Sequence, residues 1–347
     1  MNKPRVRLPA EWEPQAAVLL AWPHAGTDWA ARLDSVEASC AALVAAISHF
    51  EPAIVCVPDA EIGAHAANLL RETGADLTRV RFLDIPYDDT WLRDSGPITL
   101  HDGGSRFVLL DFRFTGWGGK YEGSRDDALI AGLIERGLFR RDARHQRVDW
   151  ALEGGAIETD GRGTLLTTWR CLHQRHPEQS RTGIERALLD AFAAQRVLWL
   201  DRGGLLGDDT DAHIDTLARF APDNAIVYQA CSDPDDPQHA ELAAMQREIE
   251  ALRTLEGHPY RLFPLPWARP IMDAGRRLAA SYANYLIVNG AVLVPAYGDE
   301  ADAAAAGTIA RAHPGRKVVP VPCRPLIWQN GSLHCMTMQL PDGVMAA

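Results

Sequence analysis

Four short stretches of β-type residues fold back on themselves around turns along this 347-residue chain: 97-PITLHDGGSRFVLLDF-112, 156-AIETDGRGTLLTT-168, 214-IDTLARFAPDNAIVYQ-229 and 284-NYLIVNGAVLVPAY-297. Their tips, DGG, DGRG, PDN and NG, supply residues that tolerate positive φ, which is hairpin chemistry. A polar residue stands at or just before the start of each: Asp94, Glu153, the His213/Asp215 pair and Asn284. The intervals are 59 residues (94 to 153), 60 (153 to 213) and 71 (213 to 284), and 51 more reach Cys335. Helical periodicity fills the gaps at 31–48, 60–72, 125–136, 180–194, 237–254 and 301–312. A module of strand, helix and hairpin at this spacing predicts several similar units around a common axis, each contributing one functional group to the centre. The segment 16-AAVLLAWPH-24 reads as an opening strand, with the Cys335 strand pairing back against it. No Pro/Ser-rich linker interrupts the series, so the expectation is one domain over 1–347.

Composition narrows the function classes. The net charge is −11 and no Lys/Arg run exceeds two residues, which argues against a surface that tracks nucleic-acid phosphates and suits a cationic small molecule. Six cysteines, at 40, 56, 171, 231, 323 and 335, form no CxxC pair and no dense framework, which favours a reducing compartment. The start, MNKPRVRLPAEWEPQ, lacks the apolar core of a signal peptide, and no apolar run approaches the roughly 18 residues of a membrane span. The expectation is a soluble cytoplasmic protein without membrane or nucleic-acid partners; self-association is left open.

The polar motifs carry the chemistry. In 88-DDTWLRDSGP-97, Asp88 and Asp89 read as solvated loop charges, but Asp94 directly precedes a hairpin expected to be buried. A buried carboxylate is costly unless paired, so Asp94 needs Arg93 or a cationic ligand. Glu153 is followed by two glycines, which either let the backbone approach a ligand or make a plain turn. In 207-GDDTDAHIDTLARF-220, Asp209, Asp211, His213 and Asp215 share parity and would share one face wherever the segment is extended. Two readings follow: a metal site of His and carboxylates, or His213 as an acid–base catalyst beside an Asp215 that grips a cation. Taken alone, Cys335 reads as a small buried hydrophobe. In an extended SLHCMTMQLP strand His334 would face away from it, leaving the distant His213 as the better base for a nucleophilic Cys335.

Taken in order, 22-WPHAGTDW-29, 90-TWLRDSGP-97, 114-FTGWGGKYEGSRDD-127, 152-LEGGAIETDGRGTLLTT-168, 207-GDDTDAHID-215, 281-SYANYLIVNG-290 and 331-GSLHCMTMQLP-341 resemble the agmatine deiminase family, relatives of the bacterial peptidylarginine deiminases. The resemblance covers almost the whole chain. It implies the pentein fold, an α/β five-bladed propeller of pseudo-repeated ββαβ modules around a central active site, and a reaction on a small cationic guanidine, agmatine, in polyamine synthesis, with no cofactor and no metal. It further implies Cys335 as nucleophile, His213 as general acid and base, Asp94 and Asp215 as the carboxylates that hold the guanidinium, Glu153 as a further acidic residue orienting it, and Trp91 and Asn284 as pocket walls. Three departures from the family's usual pattern stand near these positions: Ala212 where glycine is common, 329-QNGSLHC-335 in place of a Gly-rich run, and 171-CLHQRHP-177. They bear on which guanidine is accepted, with free or peptidyl arginine the alternatives to agmatine. A metallohydrolase built on Asp209, Asp211, His213 and Asp215, and a non-catalytic binder of cations, are the readings from other classes.

Overall fold

The computed structural model describes residues 6–104 and 106–346. Two compact units organise them: Met1–Gly154 together with Cys335–Ala347, and Gly155–His334. One sheet topology recurs in both. An antiparallel hairpin comes first; its second strand then pairs in parallel with a third strand reached through a helical crossover, the connection that parallel pairing requires.

In the first unit this sheet is built from Ile98–His101, Phe107–Arg113 and Arg144–Ala151. A second is assembled from the two chain ends: Thr337–Pro341 runs antiparallel to Gln15–Ala21, which pairs in parallel with Ala53–Val57, itself parallel to Val80–Asp84. The expected return of the last strand to the first is therefore observed. In the second unit the pattern is repeated by Ile157–Thr159, Thr164–Thr168 and Arg196–Leu200, by Ala218–Ala221, Ala225–Gln229 and Arg261–Leu265, and by Leu286–Val288, Ala291–Ala296 and Lys317–Pro322. A separate two-stranded ribbon, Met272–Asp273 with Arg276–Arg277, precedes the last of these.

The sequence explains these elements locally. The second strands and their parallel partners include near-continuous apolar runs such as AIVCV at 53–57, buried along its whole length. Burying one such Val or Ile side chain stabilises by about 1.5–3 kcal/mol, which favours a strand covered on both faces. At the 223–224 tip both residues take left-handed backbone, Asp223 at φ 59° and Asn224 at φ 55°, the pair a type I′ turn needs. The helix Ala60–Glu72 is capped by Asp59, whose carboxylate accepts from Ile62 N at 2.9 Å. Arg181–Phe192 is capped in the same way by Ser180.

One helix departs from the expectation. The periodic stretch 125–136 is broken into Ser124–Asp127 and Leu129–Glu135. The break follows from tertiary demand on its acidic residues. Asp126 accepts the backbone N–H groups of Asp88 (2.8 Å) and Asp89 (3.2 Å), and Asp127 accepts that of Phe114 (2.6 Å). Side chains that serve other segments compete with continuation of the helix. Among the described residues no disulfide forms, all six cysteines are buried, and no helix is long and apolar enough to cross a membrane.

Candidate active site

In the first unit, three sequence-distant segments converge. Trp91 leads into a single helical turn, Leu92–Ser95, which carries Asp94. The backbone N–H of Arg93 donates to the carbonyl of Cys335 at 3.1 Å, tying that turn to the segment before the last strand. Gly154, next to Glu153, packs so closely on the same turn that a Cβ there would meet the Arg93 carbonyl oxygen at 2.2 Å. The glycine after Glu153 thus admits the protein's own backbone rather than a ligand. Trp91, Asp94, Glu153 and Cys335 are all buried, at 7, 5, 1 and 4 % exposure.

Asp94 has a partner that the sequence reading did not name. Arg93 directs its guanidinium to Glu11 at 3.2 Å and to Gln339, whereas the indole N–H of Trp117 donates to Asp94 Oδ2 at 2.9 Å. Trp117 sits at φ 56°, ψ 47°, left-handed backbone that costs a bulky residue about 1–2 kcal/mol. A hydrogen bond to a buried charged group is worth about 1.5–3 kcal/mol and can offset that strain. The only signal in the sequence was the GWGG run, whose glycines permit the conformation.

The second unit holds His213, Asp215 and Asn284, all but fully buried. The parity argument for 209–215 does not survive, because the segment is not extended. Asp211 (φ 67°) and Ala212 (φ 71°) are successive left-handed residues, and Ile214–Thr216 is a 3-10 turn. Asp211 turns to Arg175 at 2.7 Å, and among the described residues no three of Asp209, Asp211, His213 and Asp215 gather ligand atoms within 4.8 Å. The metallohydrolase reading loses its ligand set.

What holds this corner is a hydrogen-bonded network. His334 Nδ1 meets Asp215 Oδ2 at 2.8 Å. The His334 N–H donates to Asn284 Oδ1 at 3.1 Å, and Asn284 Nδ2 reaches the Asp215 carbonyl at 3.4 Å. Burial alone would push the Asp215 carboxyl up. The His334 hydrogen bond and the charges of His334, His213 and Arg219 outweigh it and hold Asp215 below the ordinary carboxylate range, so it is an anion at neutral pH. Arg219, fully buried, donates to Glu158 at 2.7 Å and to the Tyr285 carbonyl at 2.9 Å, with a longer contact to that of Ala283 at 3.4 Å. Those carbonyls flank Asn284. Cys171, at the start of a helix capped by Thr168, lies within 4.8 Å of a His213 ring nitrogen. The Thr168 hydroxyl also donates to the Ala212 carbonyl at 2.8 Å.

One sequence expectation is corrected at Cys335 and His334. Residues 333–336 form a turn, and the strand begins only at Thr337, so strand parity does not assign their faces. His334 is bonded to Asp215 and Asn284. At Ala212, the left-handed conformation favours the glycine that is common there. Ala212→Gly is expected to relieve about 1–2 kcal/mol of strain against roughly 0.4–1 kcal/mol of added unfolded-state entropy. The net gain of about 0.5–1 kcal/mol would be read as a higher urea midpoint at unchanged slope; a lower midpoint refutes the strain argument.

The chain resembles known proteins along nearly its whole length. A family model described as Porphyromonas-type peptidyl-arginine deiminase matches residues 7–341. An agmatine deiminase of Pseudomonas aeruginosa is 34% identical, covering 96% of this chain and 95% of its own. Among solved structures, a candidate arginine deiminase from Porphyromonas gingivalis superposes with a TM-score of 0.90 at 44% identity, covering 99% and 100% of the two chains. A Cys-to-Ser form of C. jejuni agmatine deiminase with substrate bound superposes with a TM-score of 0.89 at 32% identity, covering 98% and 97%. The α/β fold matches pentein-superfamily structures. With a match over nearly its whole length, the chain belongs to the Porphyromonas-type peptidyl-arginine deiminase family.

Proposed function

We propose that this chain is a hydrolase that converts agmatine to N-carbamoylputrescine and ammonia. The observation that carries the reading is the near-complete match to agmatine deiminases, 96% of the chain at 34% identity. The same reading takes 1–347 as a single cytoplasmic catalytic domain and its five recurrent sheets as the blades of a pentein propeller.

The roles follow from guanidine chemistry. A guanidinium is planar and resonance-stabilised, so its carbon is a poor electrophile until it is oriented and its charge is managed. Asp94 and Asp215 accept its N–H fork, Glu153 orients it, and Trp91 and Asn284 wall the pocket. The Cys335 thiolate forms a C–S bond to the guanidine carbon. As that tetrahedral adduct collapses, one C–N bond breaks and His213 gives its proton to the departing ammonia. The neutral His213 then takes a proton from water. Hydroxide adds to the same carbon of the S-alkylthiouronium, and the C–S bond breaks as the hydroxyl proton passes to solvent, returning the thiolate and a ureido product. A depressed Asp215 carboxyl supports this reading, since the carboxylate is already charged when a cation arrives.

The test is ammonia release from agmatine, free arginine and a peptidyl arginine, each with and without EDTA. The expected order puts kcat/KM for agmatine at least about tenfold above the other two, a difference of about 1.4 kcal/mol, with EDTA making no difference. Faster turnover of an arginine would reassign the substrate, and loss of activity to EDTA with recovery on added metal would overturn the mechanism.

A further inference from the structure

The run 114-FTGWGGKYEGSRDD-127 is one of the stretches that relate this chain to its family, yet none of its residues has a role in the chemistry above. Its geometry is unusual. Gly116, Trp117, Gly118 and Gly119 are four successive left-handed residues, with φ of 59°, 56°, 83° and 83°. Glycine accepts that conformation; tryptophan does not do so readily. The surroundings impose it. A Cβ on Gly116 would meet the Tyr121 carbonyl oxygen at 2.0 Å, and both Lys120 N–H (3.0 Å) and Tyr121 N–H (3.2 Å) donate to the Gly116 carbonyl. The Thr115 hydroxyl accepts from Gly118 N at 3.0 Å. Phe114 and Tyr121 pack edge-on against the Trp117 ring, at 5.0 and 5.6 Å between centroids.

The segment bearing Trp117 is laced to the one bearing Asp94. Asp126 takes the N–H groups of Asp88 and Asp89, and Asp88 in turn accepts from Arg125 N at 2.8 Å. The product of this frame is a single directed contact, the buried indole N–H on Asp94 Oδ2 at 2.9 Å. A backbone outlier held in place by so many bonds, and delivering one donor to one carboxylate, is the pattern of a site in which strain fixes orientation.

We propose that Trp117 is a positioning residue: its indole N–H fixes the Asp94 carboxylate in the orientation that receives the substrate guanidinium. This rests on the deiminase reading, in which Asp94 holds the guanidinium. The indole donates to Oδ2 from one side and so contributes a fixed direction to the carboxylate. Its loss removes a directed donor from Asp94, misplacing the carbon to be attacked and therefore lowering kcat more than it raises KM.

The test compares Trp117→Phe, which keeps an aromatic ring and deletes the N–H, with Asp94→Ala and the double variant. On the full-length protein, Trp117→Phe is expected to lower kcat for agmatine by about 10- to 100-fold with less than about a threefold change in KM. In the Asp94→Ala background the same change is expected to cost less than about twofold, because the N–H has nothing left to orient. The contact itself is read separately by 15N-indole NMR. The Trp117 signal, identified by its absence in Trp117→Phe, should move upfield in Asp94→Ala. Should Trp117→Phe fail to fold, Trp117→Tyr identifies the signal instead and that shift decides. An unmoved indole signal, equal costs in the two backgrounds, or a Trp117→Phe enzyme with wild-type kcat overturns the inference while leaving the deiminase reading standing. A wild-type protein that turns over no guanidine overturns both.

Discussion

Cys335→Ala is expected to lower ammonia release from agmatine by at least about 10³-fold, because no other group replaces the C–S bond on which the two-step route depends. The buried side chain loses only its sulfur, in a turn anchored through its own backbone by the Arg93 N–H bond to its carbonyl. The folded structure should therefore persist, with an unchanged far-ultraviolet spectrum and a loss of no more than about 1 kcal/mol in stability. The variant should still bind agmatine, since the carboxylates assigned to the guanidinium are untouched. Full activity in Cys335→Ala would remove the nucleophile from the mechanism. Loss of activity accompanied by unfolding would be answered by Cys335→Ser, which keeps the volume of the side chain.

Breaking the Glu158–Arg219 pair should have the largest effect on stability. Both side chains are buried, 1% and 0% exposed, and Arg219 also packs over the Tyr285 ring at 4.9 Å. Removing one partner breaks a buried ion pair, so Arg219→Met or Glu158→Leu is expected to cost about 3–5 kcal/mol. The double variant removes both charges and should recover part of this. It should not recover all of it, because the Tyr285 carbonyl loses its Arg219 donor, leaving a deficit of about 1–3 kcal/mol. Urea unfolding of the four proteins checks the ordering, and full additivity of the single costs would refute a paired origin. Since the Arg219 contacts flank Asn284, activity should fall in both Arg219 variants even where the fold survives.

How much of this was legible in the sequence depended on whether the controlling forces were local. Each hairpin was, because turn residues such as Asp223 and Asn224 permit a conformation that few others do. Helix Ala60–Glu72 was, through its periodicity. The placement of Asp94 and Glu153 just ahead of hairpins was legible for the same reason. Failure came wherever a distant group dictated the backbone. Residues 333–336 alternate like a strand, yet they turn, with His334 bonded to Asp215 and Asn284. Asp211 and Ala212 are held left-handed by an ion pair with Arg175 and hydrogen bonds from Thr168 and to Asp208. Nothing in periodicity or spacing could pair Arg219 with Glu158, 61 positions away, or aim Trp117 at Asp94.

The sheet that joins the two chain ends has a consequence for synthesis. Among the described strands Gln15–Ala21 is synthesised first, and its antiparallel neighbour, Thr337–Pro341, follows all the others. About 320 residues of translation separate them, roughly 15–60 s at a rate of about 5–20 residues per second. Through that interval a buried-type apolar strand carries an uncovered edge, the hazard that chaperones exist to manage. The strand that closes the edge arrives directly behind the thiol, so a nascent chain that stalls before residue 335 has neither the cysteine proposed as nucleophile nor a finished sheet.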